Sequence, residues 1–426
     1  MALWGDMKWR QKLRWPGLAL WQLKCELVYA AAYVWRRLLF RTTFIAITGS
    51  VGKTTAKDCL AAILSARFSI LSTRGSENDT IGLPRSILRV RPWHRFAVLE
   101  VAANGRGLMQ RSAPLVNPHI ALVLTVARTH MRQHKTLESV AAEKFELLKA
   151  LRPDGIAVLN SDSPLVAAMA ARSTRKVVWF GSSAASHLKA DELSSIWPER
   201  FTFRLQAGGQ SWKVRTQLVG TQWITSVLGA LTVAQVCGVA PAEALPAIET
   251  VQPYIARMQP ATVLDGITIL RDEYNGSIDT LMPALRVLSD ARSSRKILVI
   301  SDVGDTSEHT KARMRLIADE AARVADLTVF ISSSPHHALR AARHAGIAPD
   351  AVKSFLTLEQ TVEYLKAELR AGDLLLLRGG ARDHLSRIYF ALLGQIKCWI
   401  PTCDLMRPCD QCPKLGARPG SSPRAR

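Results

Sequence analysis

One short run of sequence constrains the fold of this chain more than any other feature. It reads Ile45-Ala46-Ile47-Thr48-Gly49-Ser50-Val51-Gly52-Lys53-Thr54-Thr55, an apolar β-forming stretch that passes through two glycines into a helical pattern. A strand, a glycine-rich loop and a helix N-terminus in this order can hold phosphate, because backbone N–H groups and the helix dipole both face the anion. In such a loop Lys53 reaches the β- and γ-phosphates and the Thr54 hydroxyl ligates Mg²⁺. The sequence therefore predicts a nucleoside triphosphate site, although G-x-x-G-K-T is two residues shorter than the common motif.

The pattern of apolar runs predicts two α/β domains in series. From Phe44 to about Phe180, strand-like runs alternate with helical patterns, which is typical of a mostly parallel sheet covered by helices on both faces. A second alternation begins near Ala261. We therefore predict the α/β class, with a central P-loop parallel-sheet ATPase domain followed by a smaller Rossmann-like α/β domain. The expected divisions are a basic Trp-rich segment (1–43), a central ATP-binding domain (44–256), a C-terminal Rossmann-like domain (257–395) and a Cys-rich basic tail (396–426).

The net charge of +21 is concentrated at the two ends of the chain. Residues 1–43 carry eight Lys and Arg against two acidic residues, and residues 396–426 carry six against two. Nearly half of the excess charge is therefore terminal, and no helicase-like acidic pair follows a strand. We expect anionic small molecules or a membrane surface, and no nucleic acid, as the partners of these cations.

The first 43 residues combine tryptophans with cations. Their most apolar part, roughly Leu27 to Trp35, is too short to span a bilayer, and no small-residue cleavage site marks a secretory signal. Aromatic and basic side chains together suit the interface of an anionic membrane. A helix that packs on its own domain or on a partner is the equally weighted alternative. We expect a cytoplasmic protein and keep peripheral contact with the inner face of the membrane as a hypothesis.

Four cysteines lie close together in the tail, with the pattern C-x4-C-x5-C-x2-C. They are Cys398, Cys403, Cys409 and Cys412. The last two have the spacing of one half of a structural zinc site, whereas the first two are more widely spaced than usual. Both a structural Zn²⁺ site and a tail without metal, whether unliganded or redox-active, remain open.

Three more residues have positions that suit chemistry. Glu100 ends the strand Ala97–Glu100, where a carboxylate near a phosphate loop can contact Mg²⁺. His130 follows a predicted strand, while His134 is expected at the surface. Lys144 falls on the apolar stripe of the helix predicted over 137–151, so it either extends to solvent from the edge of that face or is a buried functional lysine.

Several ordered motifs resemble those of the Mur ligase family, which builds the peptidoglycan stem peptide, and most of all its D-alanyl-D-alanine-adding branch. In the first half of the chain they are the loop Thr48–Thr55, Asn78-Asp79-Thr80-Ile81-Gly82-Leu83-Pro84, Glu100 with Asn104, His130, Ala141-Ala142-Glu143-Lys144 and Asn160-Ser161-Asp162-Ser163-Pro164. In the second half they are Arg257-Met258, Asp272-Glu273-Tyr274-Asn275-Gly276 and Val299-Ile300-Ser301-Asp302.

The resemblance implies an ATP-dependent carboxylate–amine ligase that works through an acyl phosphate. It implies that ATP is held by Gly49, Ser50, Val51, Gly52, Lys53, Thr54, Thr55, Asn78, Asn160, Arg257, Asp272 and Asn275. Mg²⁺ would be bound by Thr54, Glu100 and His130, and Lys144 would be carbamylated to support the metal. Lys53, Lys144 and His130 would then be the catalytic residues, and the substrates a small carboxylate and a small amine.

Some positions depart from the family pattern. Only 43 residues precede the first strand, too few for the family's N-terminal UDP-binding domain, which favours a different acceptor or a partner subunit. Gln222-Trp223 stands where the family has His-Asn, and Arg378-Gly379-Gly380-Ala381-Arg382 replaces a Lys-Gly-Ser-Arg motif that would hold an anionic substrate. A regulatory ATP-binding homologue without turnover is therefore the alternative hypothesis.

Overall fold

The computed structural model describes residues 16–102, 105–128, 131–263, 266–301, 309–394, 396–400, 403 and 408–416, with only the backbone at residues 16–19 and 132. The chain divides into two compact units. Unit 1 comprises Met1–Leu193, Phe203–Thr216 and Trp223–Val251, and unit 2 comprises Ser194–Thr202, Gln217–Gln222 and Gln252–Arg426.

Unit 1 is built on a six-stranded parallel sheet. Its strands are β1 (Thr43–Thr48), β2 (Ile70–Ser72), β3 (Phe96–Glu100), β4 (Ile120–Val123), β5 (Ile156–Asn160) and β6 (Lys176–Phe180), in the spatial order β2-β3-β1-β4-β5-β6. A smaller sheet contains β7 (Lys189–Ser194), β8 (Thr202–Ala207) and β9 (Gln210–Arg215). The helices are α1 (Pro16–Leu38), α2 (Lys53–Ser65), α3 (Gly82–Arg89), α4 (Leu108–Val116), α5 (Met131–His134), α6 (Leu137–Lys149), α7 (Pro164–Ala170), α8 (Ile224–Val236) and α9 (Pro241–Thr250).

Helices cover both faces of this sheet, as its sequence requires. Strands β3 and β4 are buried at every position, so both sets of alternating side chains need an apolar partner. Phe44 and Ala46 belong to a core with residues of α3, α4 and α6. On the opposite face α8 packs so closely that a Cβ at Gly229 would lie 3.1 Å from the Leu122 side chain.

Strand order places the phosphate loop at the centre of the sheet. Strand β1 lies between β3 and β4, with Ile47 opposite Glu100 and Thr48 opposite Val123. The chain therefore leaves β1 at the carboxyl edge, next to the ends of both neighbours. A crevice at this edge, where the strand order reverses, is the usual ligand position in open parallel sheets.

Unit 2 contains a second six-stranded sheet. Its strands are β10 (Gln259–Thr262), β11 (Thr268–Asp272), β12 (Arg295–Ser301), β13 (Leu327–Ile331), β14 (Val352–Phe355) and β15 (Asp373–Arg378), in the order β10-β11-β15-β12-β13-β14 with only the β10–β11 pair antiparallel. Its helices are α10 (Leu281–Asp290), α11 (Thr310–Val324), α12 (Pro335–His344), α13 (Leu358–Glu368) and α14 (Ser386–Leu393).

The predicted fold class is confirmed. The alternation of strands and helices predicted from Phe44 to about Phe180, and the second one from near Ala261, are both observed. Some elements have weak sequence signals: β2 has three residues, and α4 contains Pro114. In the described part of the chain, none of the helices combines the length and the apolar character needed to cross a bilayer.

The N-terminal helix α1 packs on unit 1, which is one of the two alternatives expected for this segment. Its inner face buries Ala32 and Arg36 against α3 and α4. The Arg36 guanidinium donates to the carbonyls of Val116 (2.6 Å) and Asn117 (2.7 Å) and lies 3.7 Å from the centre of the Phe44 ring. The buried cation therefore fastens α1 to the end of α4.

We predict that Arg36→Ala destabilises unit 1 by about 2–3 kcal/mol, because two buried carbonyls lose their donors and the Phe44 ring loses its cover. Urea unfolding followed by tryptophan fluorescence measures the change. The matched control is Arg37→Ala, which removes an exposed neighbour and should cost less than about 0.5 kcal/mol. Equal effects of the two changes would contradict the anchoring role of Arg36.

Candidate active site

The phosphate loop joins β1 directly to α2. Ala56 N–H donates to the Gly52 carbonyl in the first helical bond, and no side chain caps the helix among the described residues. The N–H groups of residues 53–55 therefore face the loop without a helical acceptor. Lys53 Nζ donates to the Gly49 carbonyl at 2.8 Å, so its ammonium lies over the loop. This arrangement suits a phosphate group.

Gly52 is required at the turn into α2. Its φ of 82° is left-handed, and a Cβ there would lie 2.3 Å from Ser226 Oγ. Ser226, on α8, donates to the Gly52 carbonyl at 3.1 Å. The loop is thus held against α8, at a contact that sequence analysis did not find. Trp223, at one of the positions that depart from the family pattern, is buried at the start of the same helix.

Glu100 is the centre of a buried polar cluster at the ends of β1 and β3. Thr54 Oγ1 donates to Glu100 Oε2 at 3.0 Å, and Asn78 Nδ2 donates to Oε1 at 2.5 Å. The Glu100 N–H donates to Thr73 Oγ1 at 3.0 Å. The sequence-predicted residues Thr54, Asn78 and Glu100 therefore converge. A carboxylate and a hydroxyl oxygen side by side are the hard ligands that Mg²⁺ prefers.

Lys57 supports this cluster from α2 and was missed by the sequence analysis. Its buried ammonium donates to the carbonyls of Thr73 (2.9 Å) and Gly75 (2.8 Å) and lies 2.8 Å from Asp58. Lys57 thereby holds the segment that presents Thr73 to the backbone of Glu100. A lysine three residues before the buried Leu60, on the apolar face of the helix, was the available signal.

Lys144 is buried, so the surface alternative for this residue is wrong. It is 2% exposed on α6. Burial, together with the positive charge of Lys53, lowers the pKa of Lys144 to about 7. Its neighbour Glu143 does not compensate fully, because its oxygens accept from the N–H groups of Gly107 and Met109 at the start of α4.

Two buried hydroxyl groups on the other side of the loop have unused hydrogen-bonding capacity. The hydroxyl oxygens of Thr48 and Thr125 are buried and have no hydrogen-bond partner within the described ranges. Asn160, at the end of β5, donates to the Leu124 carbonyl at 2.8 Å and accepts from the Asp162 N–H at 2.9 Å. Unsatisfied hydroxyls beside a glycine cradle and an oxygen cluster fit the binding of a nucleotide and Mg²⁺.

Unit 2 contains a separate group of predicted nucleotide contacts. The Arg257 guanidinium lies 4.7 Å from the centre of the Tyr274 ring, and its Nε is buried without a hydrogen-bond partner in the described part of the chain. Its neighbours Ala256 and Met258 both have left-handed φ angles, of 56° and 47°. Such strain costs about 1 kcal/mol per residue and is typical of functional segments. Arg257 thus keeps capacity for an anion.

The other predicted nucleotide-binding residues of unit 2, Asp272 and Asn275, form hydrogen bonds with other groups of the protein. Asp272 accepts from the Met258 N–H at 3.1 Å and from Arg378 at 2.7 Å, and burial raises the pKa of its carboxyl group. Asn275 Oδ1 accepts from the Ser277 N–H at 3.2 Å. Arg378 is buried in the Asp272 pair, whereas Arg382 is the exposed cation of the segment Arg378–Arg382.

The Cys-rich tail packs on unit 2. Asp410 pairs with the buried Arg271 at 2.6 Å, and Cys409 Sγ lies 3.3 Å from His384 Nδ1. Cys398 and Cys409 belong to the apolar core. Among the described residues, which include Cys403 and Cys412, no three potential metal ligands come together. The zinc hypothesis therefore gains no support from this geometry.

Three residues of the predicted motifs, Asn104, His130 and Asp302, lie outside the described residues, so the predictions for them stay untested. His134 was expected at the surface, which is wrong: it is fully buried, with Nδ1 3.3 Å from Ser139 Oγ. His134 lies at the turn between α5 and α6. The spacing of residues in the sequence could not predict that this turn buries its side chain.

Comparison with known proteins agrees with this geometry. A Mur ligase middle-domain model matches residues 47–234, and the model for the Mur ligase glutamate ligase domain matches residues 256–381. The chain belongs to the Mur ligase family.

Individual relatives extend the match. This Mur ligase is 29% identical over 391 residues to the UDP-N-acetylmuramoyl-tripeptide–D-alanyl-D-alanine ligase of Mycobacterium tuberculosis, covering 86% of this chain and 75% of that one. A crystal structure of MurF from Acinetobacter baumannii superposes with a TM-score of 0.79 at 22% identity, covering 87% and 80% of the two chains. MurF from Thermotoga maritima, solved in complex with ADP, gives a TM-score of 0.75 at 20% identity, with 86% and 82% covered.

We predict that Gly52→Ala weakens Mg-ATP binding at least about tenfold, because the added methyl group displaces the loop from α8 and strains its backbone. Isothermal titration calorimetry measures the affinity. Ser226→Ala alone should bind nearly as the wild type does. The double variant Gly52→Ala/Ser226→Ala should recover part of the loss, since the close contact is relieved while the φ strain remains. Wild-type affinity in Gly52→Ala would contradict this account of the loop.

We predict that Lys144 makes the stability of this Mur ligase rise with pH above 7. With a folded-state pKa of about 7, the amine is neutral in the native protein while the unfolded chain still binds a proton. Relative to Lys144→Met, the free energy of unfolding of the wild type should rise by up to ~1.4 kcal/mol per pH unit between about pH 7 and pH 10.

Urea unfolding at several pH values in CO₂-free buffer tests this prediction. Lys149→Met, on the same helix, removes an exposed lysine and is the matched control. Parallel pH profiles for the wild type and Lys144→Met would show that Lys144 is charged in the native state.

Proposed function

We propose that this Mur ligase is an ADP-forming carboxylate–amine ligase that acts on a muramyl peptide or a related amino-acid-bearing substrate. The observation that carries the proposal is the convergence of Thr54 and Glu100 beside the Lys53 loop, with Lys144 buried nearby in electrostatic reach of Lys53. The relative from M. tuberculosis is a tripeptide–D-alanyl-D-alanine ligase, which makes an amide bond. A related reaction on a related substrate is the simplest assignment.

The proposed reaction has two steps. A substrate carboxylate oxygen attacks the γ-phosphorus of ATP, the bond to the β–γ bridging oxygen breaks, and ADP leaves. The amine nitrogen then attacks the acyl carbon of the acyl phosphate, phosphate departs and the nitrogen loses a proton. Lys53 and the N–H groups of the loop would hold the β- and γ-phosphates and offset the charge that develops on the transferred group.

Thr54 and Glu100 would hold Mg²⁺, with His130 as a further ligand. When bound there, the metal would supply positive charge that offsets the negative charge of the phosphate groups. Asn78 fixes the rotamer of the Glu100 carboxylate through Oε1, and Asn160 and Arg257 are proposed nucleotide contacts. None of these side chains needs to act as a strong acid or base.

Lys144 would react with CO₂ to form a carbamate. A lysine with a pKa of about 7 is about half neutral at pH 7, and only the neutral amine attacks the carbon of CO₂. Carbamylation converts an ammonium that faces the repulsion of Lys53 into an anion that attracts it. The burial that destabilises the charged lysine therefore prepares it for this modification.

The proposed location follows from the reaction and from the N-terminal helix. We propose a cytoplasmic enzyme, where ATP is supplied, in peripheral contact with the inner face of the membrane through residues 1–43. Its acceptor or its amine could be delivered by a partner subunit. Any Zn²⁺ in the tail would require Cys398, Cys403, Cys409 and Cys412 to rearrange.

We predict ADP release that needs Mg-ATP, a carboxylate and an amine together. Purified protein would be tested against a panel of pairs that begins with UDP-muramyl tripeptide plus D-alanyl-D-alanine, with ADP measured by a coupled assay. Lys53→Ala should lower the rate at least about a hundredfold, because the transferred phosphoryl group loses its main cation.

Two controls sharpen the assay. Lys149→Ala removes an exposed lysine and should not change the rate. Intact mass spectrometry should show an added carbamate in the wild type and none in Lys144→Ala. Tight Mg-ATP binding without ADP release for any pair would overturn the ligase assignment and favour a regulatory role.

A further inference from the structure

The outer face of α1 is an apolar surface that the rest of the described structure leaves exposed. Eight of the fourteen exposed large apolar side chains among the described residues lie between Leu20 and Phe40. Such a concentration in so short a segment is unusual for a monomer surface and marks an interaction site. We call this surface the α1 stripe; it consists of Leu20, Leu23, Leu27, Val34 and Leu38.

The α1 stripe is a single helix face. Its members are spaced three, four, seven and four residues apart, which keeps them on one side of a helix. Their exposed fractions lie between 55% and 67%. The residues that anchor α1 to unit 1, among them Ala32 and Arg36, lie on the opposite side. The stripe therefore points away from the unit that holds the helix.

The anchoring is independent of the stripe. Tyr29 donates to the Arg111 carbonyl at 2.8 Å, Trp35 Nε1 donates to the Val90 carbonyl at 2.9 Å, and Arg36 donates to two carbonyls. Glu26, an exposed acid of α1, is paired with Arg111 at 2.6 Å. The helix is thus attached to unit 1 by contacts that leave the stripe free of any anchoring role.

Cations flank the α1 stripe on both sides. Lys24 and Arg37 are exposed and fall at opposite edges of the stripe, and Arg41 follows the end of the helix. Trp21 and Tyr33, also exposed, add aromatic rings beside it. The described charges that border the stripe are therefore mainly positive. The sequence before α1 is basic as well, with Lys8, Arg10, Lys12 and Arg14 against Asp6.

We infer that the α1 stripe lies in the interface of an anionic lipid membrane, with the flanking cations on lipid head groups. An apolar helix face bordered by Lys, Arg and aromatic rings is the pattern of a helix that lies in the plane of the interface, and α1 is not apolar enough to span it. Charge complementarity favours an anionic bilayer over a second copy of this cationic helix, which would repel the first.

The proposal deepens the peripheral location proposed above and does not depend on the ligase chemistry. An enzyme fixed at the bilayer by α1 would hold its phosphate loop at a constant height above the membrane, since α1 packs on the unit that carries the loop. That placement suits a carboxylate or amine carried by a lipid. Membrane binding and ADP release can therefore fail separately.

Co-sedimentation of the full-length protein with vesicles tests the α1 stripe. We expect binding to vesicles of equal parts phosphatidylglycerol and phosphatidylcholine, little binding to phosphatidylcholine alone, and release as salt is raised. Leu27→Glu/Val34→Glu should weaken binding at least about tenfold, since two inserted side chains become anionic. Lys24→Gln/Arg37→Gln should weaken it by about fivefold for each cation removed.

The matched control is Leu339→Glu/Leu356→Glu, which alters exposed apolar side chains of unit 2 and should bind as the wild type does. Mg-ATP affinity and the melting temperature, measured on every variant, separate a lost surface from lost folding. Absence of binding to anionic vesicles would overturn the proposal, as would equal loss in both Glu pairs. Sedimentation velocity showing a dimer that Leu27→Glu/Val34→Glu dissociates, with no vesicle binding, would assign the stripe to a second copy instead.

Discussion

The pairing of β1 with β3 determines the position of the candidate active site. Register puts Ile47 opposite Glu100, so the loop after β1 and the carboxylate that ends β3 emerge side by side. Thr54, one residue into α2, can then donate to Glu100 without any further adjustment of the backbone. Because side chains alternate along a strand, a shift of one residue in this register would turn the carboxylate into the core.

Burial turns these neighbours into a defined site. Both Glu100 oxygens accept hydrogen bonds, its N–H is bound by Thr73, and Lys57 holds the Thr73 segment in turn. In a medium of low polarity such bonds are strong, and an unpaired carboxylate would be costly. These hydrogen bonds thus fix the positions of the Glu100 oxygens, which are the proposed metal ligands. The loop is fixed from the opposite side by Ser226 on α8.

Much of this site was predictable because it is local in sequence or lies at strand ends. Gly49 to Thr55 form one continuous segment, a loop and the first residues of α2, and Glu100 and Asn160 end strands whose apolar runs are clear. Contacts between distant segments carry no such signal. Ser226 meets Gly52 only because α8 packs on α2, and Lys57 reaches Thr73 only because β2, three residues long, lies beside β3.

Contacts between distant segments also explain why the burial of some polar residues was not predicted. Arg378 looks like an available cation in the sequence, but it ends a strand buried on both faces and pairs with Asp272 across the sheet. His134 looks like a loop residue, yet α5 and α6 close around it. The residue type and its spacing in the sequence indicate that such a residue lies near a site. Which groups it contacts is determined by the packing of the fold.

The buried cations of this protein differ in how their charge is balanced. Most of them are neutralised or hydrogen-bonded: Arg36 by carbonyls, Lys57 by carbonyls and Asp58, Arg271 by Glu273 and Asp410, and Arg378 by Asp272. Lys144 is as deeply buried, but its burial and the repulsion of Lys53 outweigh the attraction of Glu143, so that its pKa falls to about 7. An unpaired buried charge costs several kcal/mol unless the group loses its charge. Lys144 can do so by releasing a proton or by the carbamylation proposed above, and only the second replaces the cation near Lys53 with an anion.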